Sequence, residues 1–223
     1  MRPLVVEATN TSPSAPAPKW TMPGTPFRVT RELAGRAKTQ EIHVVGAPMA
    51  GGPTAAVSKI LHFHVGGDPA AVARAIPILD ELGTHEVIGD DPGDGYTAKL
   101  LANLLWFGQV VAVTEALLLG QSLGLEPSRL RATLATSAGG SVFIDEYLDS
   151  LLDGDYLETF GLDRVVEELE TLASLARQED VPFELSSLVA RLHAEALERF
   201  GAVEGELLAA KLLEERAGRT LRR

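Results

Sequence analysis

The sequence predicts an α/β domain followed by an all-α domain, and three observations predict this fold class. Short apolar runs of strand length alternate with helical patterns before Pro92. Helical periodicity dominates after Pro92, and this second part opens on a long apolar segment. We therefore expect two domains, at residues 1–92 and 93–223.

The first part carries four apolar runs with the length and composition of β-strands. Amphipathic patterns lie between them, which is typical of strands connected by helices. Residues 11–26 hold five of the thirteen prolines and are expected to form a loop. Four short strands are few for an α/β layer, so the sheet is expected to be incomplete. The strands are expected at 4–8, 42–48, 61–67 and 85–89, and the helices at 28–41 and 68–83.

The second part has apolar residues at helical spacing almost throughout. In residues 161–179 they recur every three or four positions with acidic residues opposite, which predicts one face packed inward. The pattern as a whole predicts a helical bundle built on one long buried helix. The helices are expected at 95–124, 127–136, 141–152, 161–179, 185–200 and 203–219.

Composition and charge exclude several classes of function. Asp and Glu number 31 against 20 Lys and Arg, and a surface with a net charge of −11 repels a phosphate backbone, so no nucleic-acid partner is expected. There is no cysteine, which excludes disulfides and thiolate chemistry and is compatible with the cytoplasm, where we expect the protein. Asn103, Gln109 and Glu115 interrupt the long apolar segment, so no membrane partner is expected.

Lys99 and Asn103 are candidate functional residues, since they lie four positions apart and share one face of the predicted long helix. Gly93 and Gly95 allow another chain or a ligand to approach the start of this helix closely. Burial in a partly apolar cleft favours the neutral amine of a lysine, which exchanges protons with an alcohol or a carbonyl. The alternative is a solvated lysine and an asparagine bonded inside the bundle.

The glycine pair Gly51 and Gly52 ends a predicted strand. Consecutive glycines expose backbone N–H groups that can receive a carboxylate. The alternative is a tight turn before the next strand.

His62 and His64 alternate onto one face of a predicted strand, a spacing at which two imidazoles can share a metal ion. No third ligand is close in sequence, although His43 and His85 lie on candidate neighbouring strands. We expect no metal, and interpret the histidines as the polar cover of a sheet face. A metal-binding protein that uses all four histidines is the weaker alternative.

Five motifs, taken together and in order, resemble the β-hydroxyacid dehydrogenases, which include 3-hydroxyisobutyrate dehydrogenase and tartronate semialdehyde reductase and are related to 6-phosphogluconate dehydrogenase. The resemblance runs from residue 3 to about residue 210. Each motif is weak alone, and their order makes the resemblance specific. The motifs are "VVEATNTSP" (5–13), "GAPMAGG" (46–52), "HVGGDP" (64–69), "GDGYTAKLLAN" (93–103) and "VTEALLLGQSLGL" (113–125).

The resemblance implies a two-domain oxidoreductase with NAD or NADP as cofactor, which moves a hydride between the nicotinamide and a small hydroxy acid. It implies that Lys99 is the catalytic acid/base at the cleft between the domains. Asn103 would bind substrate, and Gly51 and Gly52 would receive its carboxylate. Asn10 would contact the cofactor. The long helix would be buried between subunits, which implies a homodimer or a higher oligomer.

Several positions depart from the family pattern. Ala50 replaces a serine before the glycine pair, and Lys59 replaces a turn glycine. Glu167 occupies the position of a lysine beside the nicotinamide, and residues 203–206 alter an acidic motif near the end of the resemblance.

No Gly-x-Gly-x-x-Gly turn follows a predicted strand, so the sheet is expected to be a Rossmann-type remnant that lacks the first half of the cofactor domain. Three explanations follow: a truncated reading frame, a partner that completes the sheet, or lost catalysis. The alternative function is therefore a non-catalytic helical dimerisation or small-acid binding module.

Overall fold

The computed structural model describes residues 4–7, 26–40, 42–158 and 160–223. The chain divides into two compact units, Met1–Ala102 and Asn103–Arg223. This division falls inside the long helix, later in the chain than the change of sequence pattern at residue 92.

The first unit contains a mixed five-stranded sheet centred on one strand. The central strand, β4, is antiparallel to β2 and β3 and parallel to β5, while β1 is parallel to β2. The sheet is thus an α/β layer with an antiparallel part. The strands are β1 (Leu4–Glu7), β2 (His43–Gly46), β3 (Met49–Ala50), β4 (Leu61–Gly67) and β5 (Gly83–Gly89).

Three helices belong wholly to the first unit: α1 (Pro26–Lys38), α2 (Gly52–Ser58) and α3 (Pro69–Leu79). The helix α3 packs against β2, β4 and β5. Asp68 caps its start by accepting hydrogen bonds from the first free N–H groups of the helix. Together α3 and one face of the sheet bury the apolar core Val45, Ala47, Ala55, Leu61, Phe63, Val65, Ala71, Val72, Ala75 and Leu79.

The second unit is a helical bundle. The long helix α4 (Asp94–Ser122) has 29 residues; it begins in the first unit and continues in the second. The helices that follow are α5 (Pro127–Ala135), a π-helical turn (Phe143–Tyr147) that leads into α6 (Leu148–Asp153), α7 (Leu162–Gln178), α8 (Glu184–Phe200) and α9 (Leu208–Ala217).

Within this chain α4 is buried along one face. Phe107, Val110 and Leu117 are at most 1% exposed and lie in the core clusters of the bundle, whereas Leu105 and Leu119 are 67% and 62% exposed. Among the helices that the structure describes, α4 is the one that is long and apolar enough to cross a membrane, and 39% of its most apolar window is buried inside the protein.

The predicted fold class, an incomplete sheet layer followed by a helical bundle, is confirmed. All four predicted strands are present, although β5 starts two residues early because α3 ends at Leu79. The predicted loop at 11–26 lies outside the described residues, apart from Pro26, which begins α1.

One helix was not predicted and one boundary is wrong. The helix α2 follows the glycine pair directly, because a proline in the first turn starts a helix as readily as it ends one. The helix expected at 141–152 is present as a π-helical turn that continues into α6. The last helix starts at Leu208 instead of 203, because Gly205, at φ +147°, donates its N–H to the Phe160 carbonyl and cannot continue a helix.

Candidate functional site

The start of α4 lies close against the sheet because glycines remove the side chains between them. A Cβ added at Gly95 would collide with the His64 carbonyl oxygen, and one at Gly46 would collide with the Pro92 carbonyl oxygen. The backbone around the start of α4 is therefore in direct contact with the backbone of β2 and β4. At Gly95 the space is thus taken by this chain's own backbone, while the predicted approach of a ligand or another chain stays a prediction.

Lys99 lies in the second turn of α4 and is half-buried. Within the described ranges its Nζ makes neither a hydrogen bond nor an ion pair, so the ammonium is available to a ligand. The Lys99 ammonium interacts electrostatically with His64 on β4, and this interaction lowers the pKa of His64.

His62 and His64 stand on the face of β4 opposite to the buried Leu61, Phe63 and Val65. Their rings meet edge to face, with centroids 4.9 Å apart. Burial lowers the pKa of His64, the nearby His62 and Lys99 lower it further, and Glu86 opposes them.

The parallel strand β5 adds an oxygen ligand to this face. In the register of the sheet His62 pairs with Thr84 and His64 pairs with Glu86. The Glu86 Oε2 atom lies 4.0 Å from His62 Nε2.

Gly51 and Gly52 form the turn between β3 and α2, and both are exposed. Gly51 is the N-cap of α2 at φ +115°, and Gly52 follows at φ +67°, conformations that L side chains rarely adopt. No atom lies within 4 Å of a Cβ built on Gly52, so the backbone there is open. The turn directly follows Ala50, the register partner of His62.

Asn103 lies one helical turn beyond Lys99 on α4 and is half-buried. Its Nδ2 donates a hydrogen bond of 2.7 Å to Glu168 Oε2 on α7. The structure therefore contains the hydrogen-bonded asparagine that the alternative interpretation of this pair expected. The Asn103 carbonyl is the part of the amide that this bond does not use.

Two further residues, Glu167 and Asn10, were predicted to contact the cofactor. Glu167 is exposed on α7 and forms an ion pair with Arg164 at 2.9 Å, whereas Asn10 lies outside the described residues. The four histidines of the weaker metal hypothesis do not gather, because His43 and His85 face Asp68 and Asp80, at 3.7 Å and 2.7 Å.

Sequence reasoning missed two partners. Glu86 joins the histidines through the parallel register of β4 and β5, and Thr84 lies before the residue at which the strand was expected to start. The alternation of Thr84 and Glu86, matched to that of His62 and His64, was the available signal.

Comparisons with known proteins assign the class and then the family. Residues 93–213 match the profile described as "NAD-binding of NADP-dependent 3-hydroxyisobutyrate dehydrogenase", and residues 22–89 match the "NAD binding domain of 6-phosphogluconate dehydrogenase". Both define the class of NAD- or NADP-dependent oxidoreductases. The chain belongs to the β-hydroxyacid dehydrogenase family, as the five motifs predicted.

Among curated relatives, a 2-(hydroxymethyl)glutarate dehydrogenase of Eubacterium barkeri is 26% identical over 164 residues, which are 73% of this chain and 54% of the relative. A probable mitochondrial 3-hydroxyisobutyrate dehydrogenase of Arabidopsis thaliana is 33% identical over 142 residues, 60% of this chain and 41% of the relative. The chain thus spans about half the length of the curated relatives it matches.

The fold resembles that of a solved Mycobacterium tuberculosis 3-hydroxyisobutyrate dehydrogenase in complex with L-serine. The two share 22% identity at a TM-score of 0.75, over 84% of this chain and 66% of the other. At this identity the likeness establishes the fold.

Proposed function

We propose that the chain provides the substrate- and proton-handling part of an NAD(P)-dependent dehydrogenase that acts on a small hydroxy acid. The observation that carries the proposal is Lys99, a half-buried amine without a hydrogen bond or ion pair in the described part of the chain, at the position of the family motif. Two relatives are named as dehydrogenases of 3-hydroxyisobutyrate and of 2-(hydroxymethyl)glutarate, both hydroxy acids.

Lys99 is proposed as the general acid/base. In alcohol oxidation its neutral Nζ accepts the hydroxyl proton while the carbinol C–H bond breaks and a carbonyl forms; the oxidised nicotinamide, when bound, would accept the hydride. In reduction the ammonium returns that proton to the carbonyl oxygen. A positioned group of this kind accelerates a reaction by about 10²–10⁴-fold.

The other proposed substrate contacts are an amide and two backbone N–H groups. The Asn103 carbonyl oxygen is the part of the amide that remains available to substrate, while the Glu168 bond holds the amide in one orientation. The open backbone at Gly52 suits a carboxylate, which accepts hydrogen bonds from N–H groups, whereas Gly51 beside it packs against Ala55.

The described residues do not offer an open site to the pyrophosphate of a dinucleotide. Gly66 and Gly67 end β4 directly before the N-cap of α3, and a Cβ at Gly66 would collide with the Asp91 carbonyl, so this backbone is covered. Asp68 already takes the first free N–H groups of α3. The cofactor contacts that follow from the family, Asn10 and the position of Glu167, stay proposals, and no step is assigned through them.

The test is a cofactor titration followed by an activity assay on the whole chain. Binding of NADH and NADPH is measured by quenching of their fluorescence, and turnover with a panel of 3-hydroxy carboxylic acids. Lys99→Ala is expected to lower kcat by about 10²-fold or more while the cofactor Kd stays within twofold. Lys38→Ala removes an exposed amine at the end of α1 and serves as the matched control.

Unchanged turnover of the Lys99→Ala variant contradicts the catalytic assignment. If neither nicotinamide binds at millimolar concentration, the second function is favoured: a non-catalytic helical dimerisation or small-acid binding module. The covered backbone at Gly66, together with Ala50 and Glu167, favours this second candidate.

We also propose that a second copy of this chain covers the exposed face of α4. Leu105, Leu119 and Leu123 are 62–73% exposed, and with the exposed Ala112 and Ala116 between them they follow the three-, four- and seven-residue spacing of one helix face. An apolar stripe with small residues at its centre suits close packing of one helix against its symmetry mate.

A further inference from the structure

We propose that His62, His64 and Glu86 form a binding site for a divalent transition-metal ion, zinc in particular. Each residue offers one ligand atom, and these atoms lie within 4.8 Å of one another. The proposal is independent of the dehydrogenase function, since it uses neither a nicotinamide nor the acid/base role of Lys99.

The sheet itself brings the three ligands together. Two residues apart on β4, the histidines point to the same face, and Glu86 is the parallel register partner of His64. Ligands placed by hydrogen-bonded strands are held with less freedom than ligands on a loop, so less order is lost when an ion binds.

A second layer of contacts orients one imidazole. His62 Nδ1 lies 2.9 Å from Thr84 Oγ1, and with Nδ1–H as the donor the lone pair of Nε2 points outward. That nitrogen is the one that faces Glu86 Oε2 at 4.0 Å.

His64 contributes an unsatisfied nitrogen. Its Nδ1 is buried and has no hydrogen-bond partner among the residues that the structure describes. A buried polar atom without a partner destabilises the folded protein, and a coordinated ion would remove that penalty.

The spacing and chemistry of the cluster fit zinc. At Zn–N and Zn–O distances near 2.1 Å, tetrahedral ligand atoms lie about 3.4 Å apart, so ligand atoms now up to 4.8 Å apart need to approach by up to about 1.4 Å. Two imidazoles and a carboxylate are a donor set that zinc prefers. The side chains of His62 and Glu86 are 41% and 64% exposed, which leaves an entry path and room for water as a further ligand.

The charges around the three ligands affect the affinity of the site for a metal ion. The Glu86 carboxylate attracts a cation, whereas the Lys99 ammonium, whose charge acts on His64, repels it. We therefore expect weaker binding than at a closed site with four protein ligands.

The test measures metal binding by the whole chain without an affinity tag, after treatment with a chelator. Equilibrium dialysis is expected to give one Zn²⁺ per chain, and Co²⁺ is expected to give the visible absorption of a site with nitrogen and oxygen ligands. His62→Gln, His64→Gln and Glu86→Gln are each expected to weaken Zn²⁺ binding by about tenfold or more. His43→Gln and His85→Gln, which remove imidazoles that face Asp68 and Asp80, are the matched controls and should stay within twofold.

Two results would overturn the site. One is the absence of saturable Zn²⁺ binding by the unaltered chain, and the other is an equal loss of affinity in the two control variants. Glu86 is exposed, so Glu86→Gln keeps the test valid if a histidine variant fails to fold. As a second measurement, Zn²⁺ is expected to raise the Tm of the unaltered chain but not that of Glu86→Gln.

Discussion

The Asn103 side-chain amide donates a 2.7 Å hydrogen bond to the Glu168 carboxylate, which ties α4 to α7 inside the helical unit. Both side chains are half-buried. A hydrogen bond to a charged group contributes more than one between neutral groups, and partial burial keeps water from replacing it.

Asn103→Ala is therefore expected to lower the free energy of unfolding by about 1–2 kcal/mol, because the Glu168 carboxylate loses a donor. Urea unfolding followed by far-UV circular dichroism measures the change. Gln109→Ala, at a half-buried position further along the same helix, is the control and is expected to cost less. Equal losses in the two variants would mean that the bond to Glu168 contributes nothing specific.

Lys59 ends α2 in the left-handed conformation, at φ +57°. This is the position where the resemblance placed a turn glycine, and a residue with a Cβ is strained there. Lys59→Gly is expected to raise the free energy of unfolding by up to about 1 kcal/mol, because glycine adopts this conformation without steric cost. Lys59→Ala is the control: it removes the same charged chain but keeps the Cβ, and it should not stabilise. A loss of stability in the Lys59→Gly variant would contradict the interpretation that the backbone of Lys59 is strained.

His193 is fully buried on α8, where its Nδ1–H donates to the Val189 carbonyl and Nε2 has no partner in the described chain. Burial lowers the pKa of His193 from 6.5 to about 4. Between these two values the unfolded chain binds a proton that the folded chain does not. The contribution of His193 to stability is therefore complete above pH 6.5, falls as the pH decreases towards 4, and is level below it.

The loss across this window is expected to be about 3.5 kcal/mol at most, at roughly 1.4 kcal/mol for each pH unit between the two pKa values. Urea unfolding at a series of pH values, for the unaltered chain and for His193→Leu, measures it. The variant should lack this part of the pH dependence, whatever its stability at neutral pH. Identical pH dependence in both proteins would show that His193 titrates normally.

The proposed dimer predicts a change of assembly when charge is placed on α4. Leu105→Glu combined with Leu119→Glu is expected to convert a dimer to a monomer, since a symmetric interface brings each new carboxylate into an apolar contact. Light scattering coupled to size-exclusion chromatography measures the mass. Leu185→Glu alters an apolar residue on α8 that is 75% exposed, and should leave the mass unchanged. A monomeric unaltered chain would contradict the proposal.

The arrangement of helices and strands was largely predictable, because the residues that one face of a helix or strand buries are apolar and recur at regular intervals in the sequence. The apolar face of α7, from Leu162 to Leu172, recurs at helical spacing, and the alternation in β4 marks both the buried Phe63 and the polar His64. Short elements with conflicting signals were not predictable. The helix α2 has seven residues and starts with glycine and proline, which also start turns.

The sequence by itself determined the two-part pattern, the glycine-flanked Lys99 and the family, because local spacing and motif order are properties of the chain. Only the tertiary structure decided that Glu86, and neither His43 nor His85, joins His62 and His64, since strand register depends on hydrogen bonds between distant segments. It also decided that buried Glu214 accepts from Tyr156 and Arg222 and that His193 is enclosed. Burial of a polar group becomes favourable only where folding supplies its partners, and a sequence pattern does not name those partners.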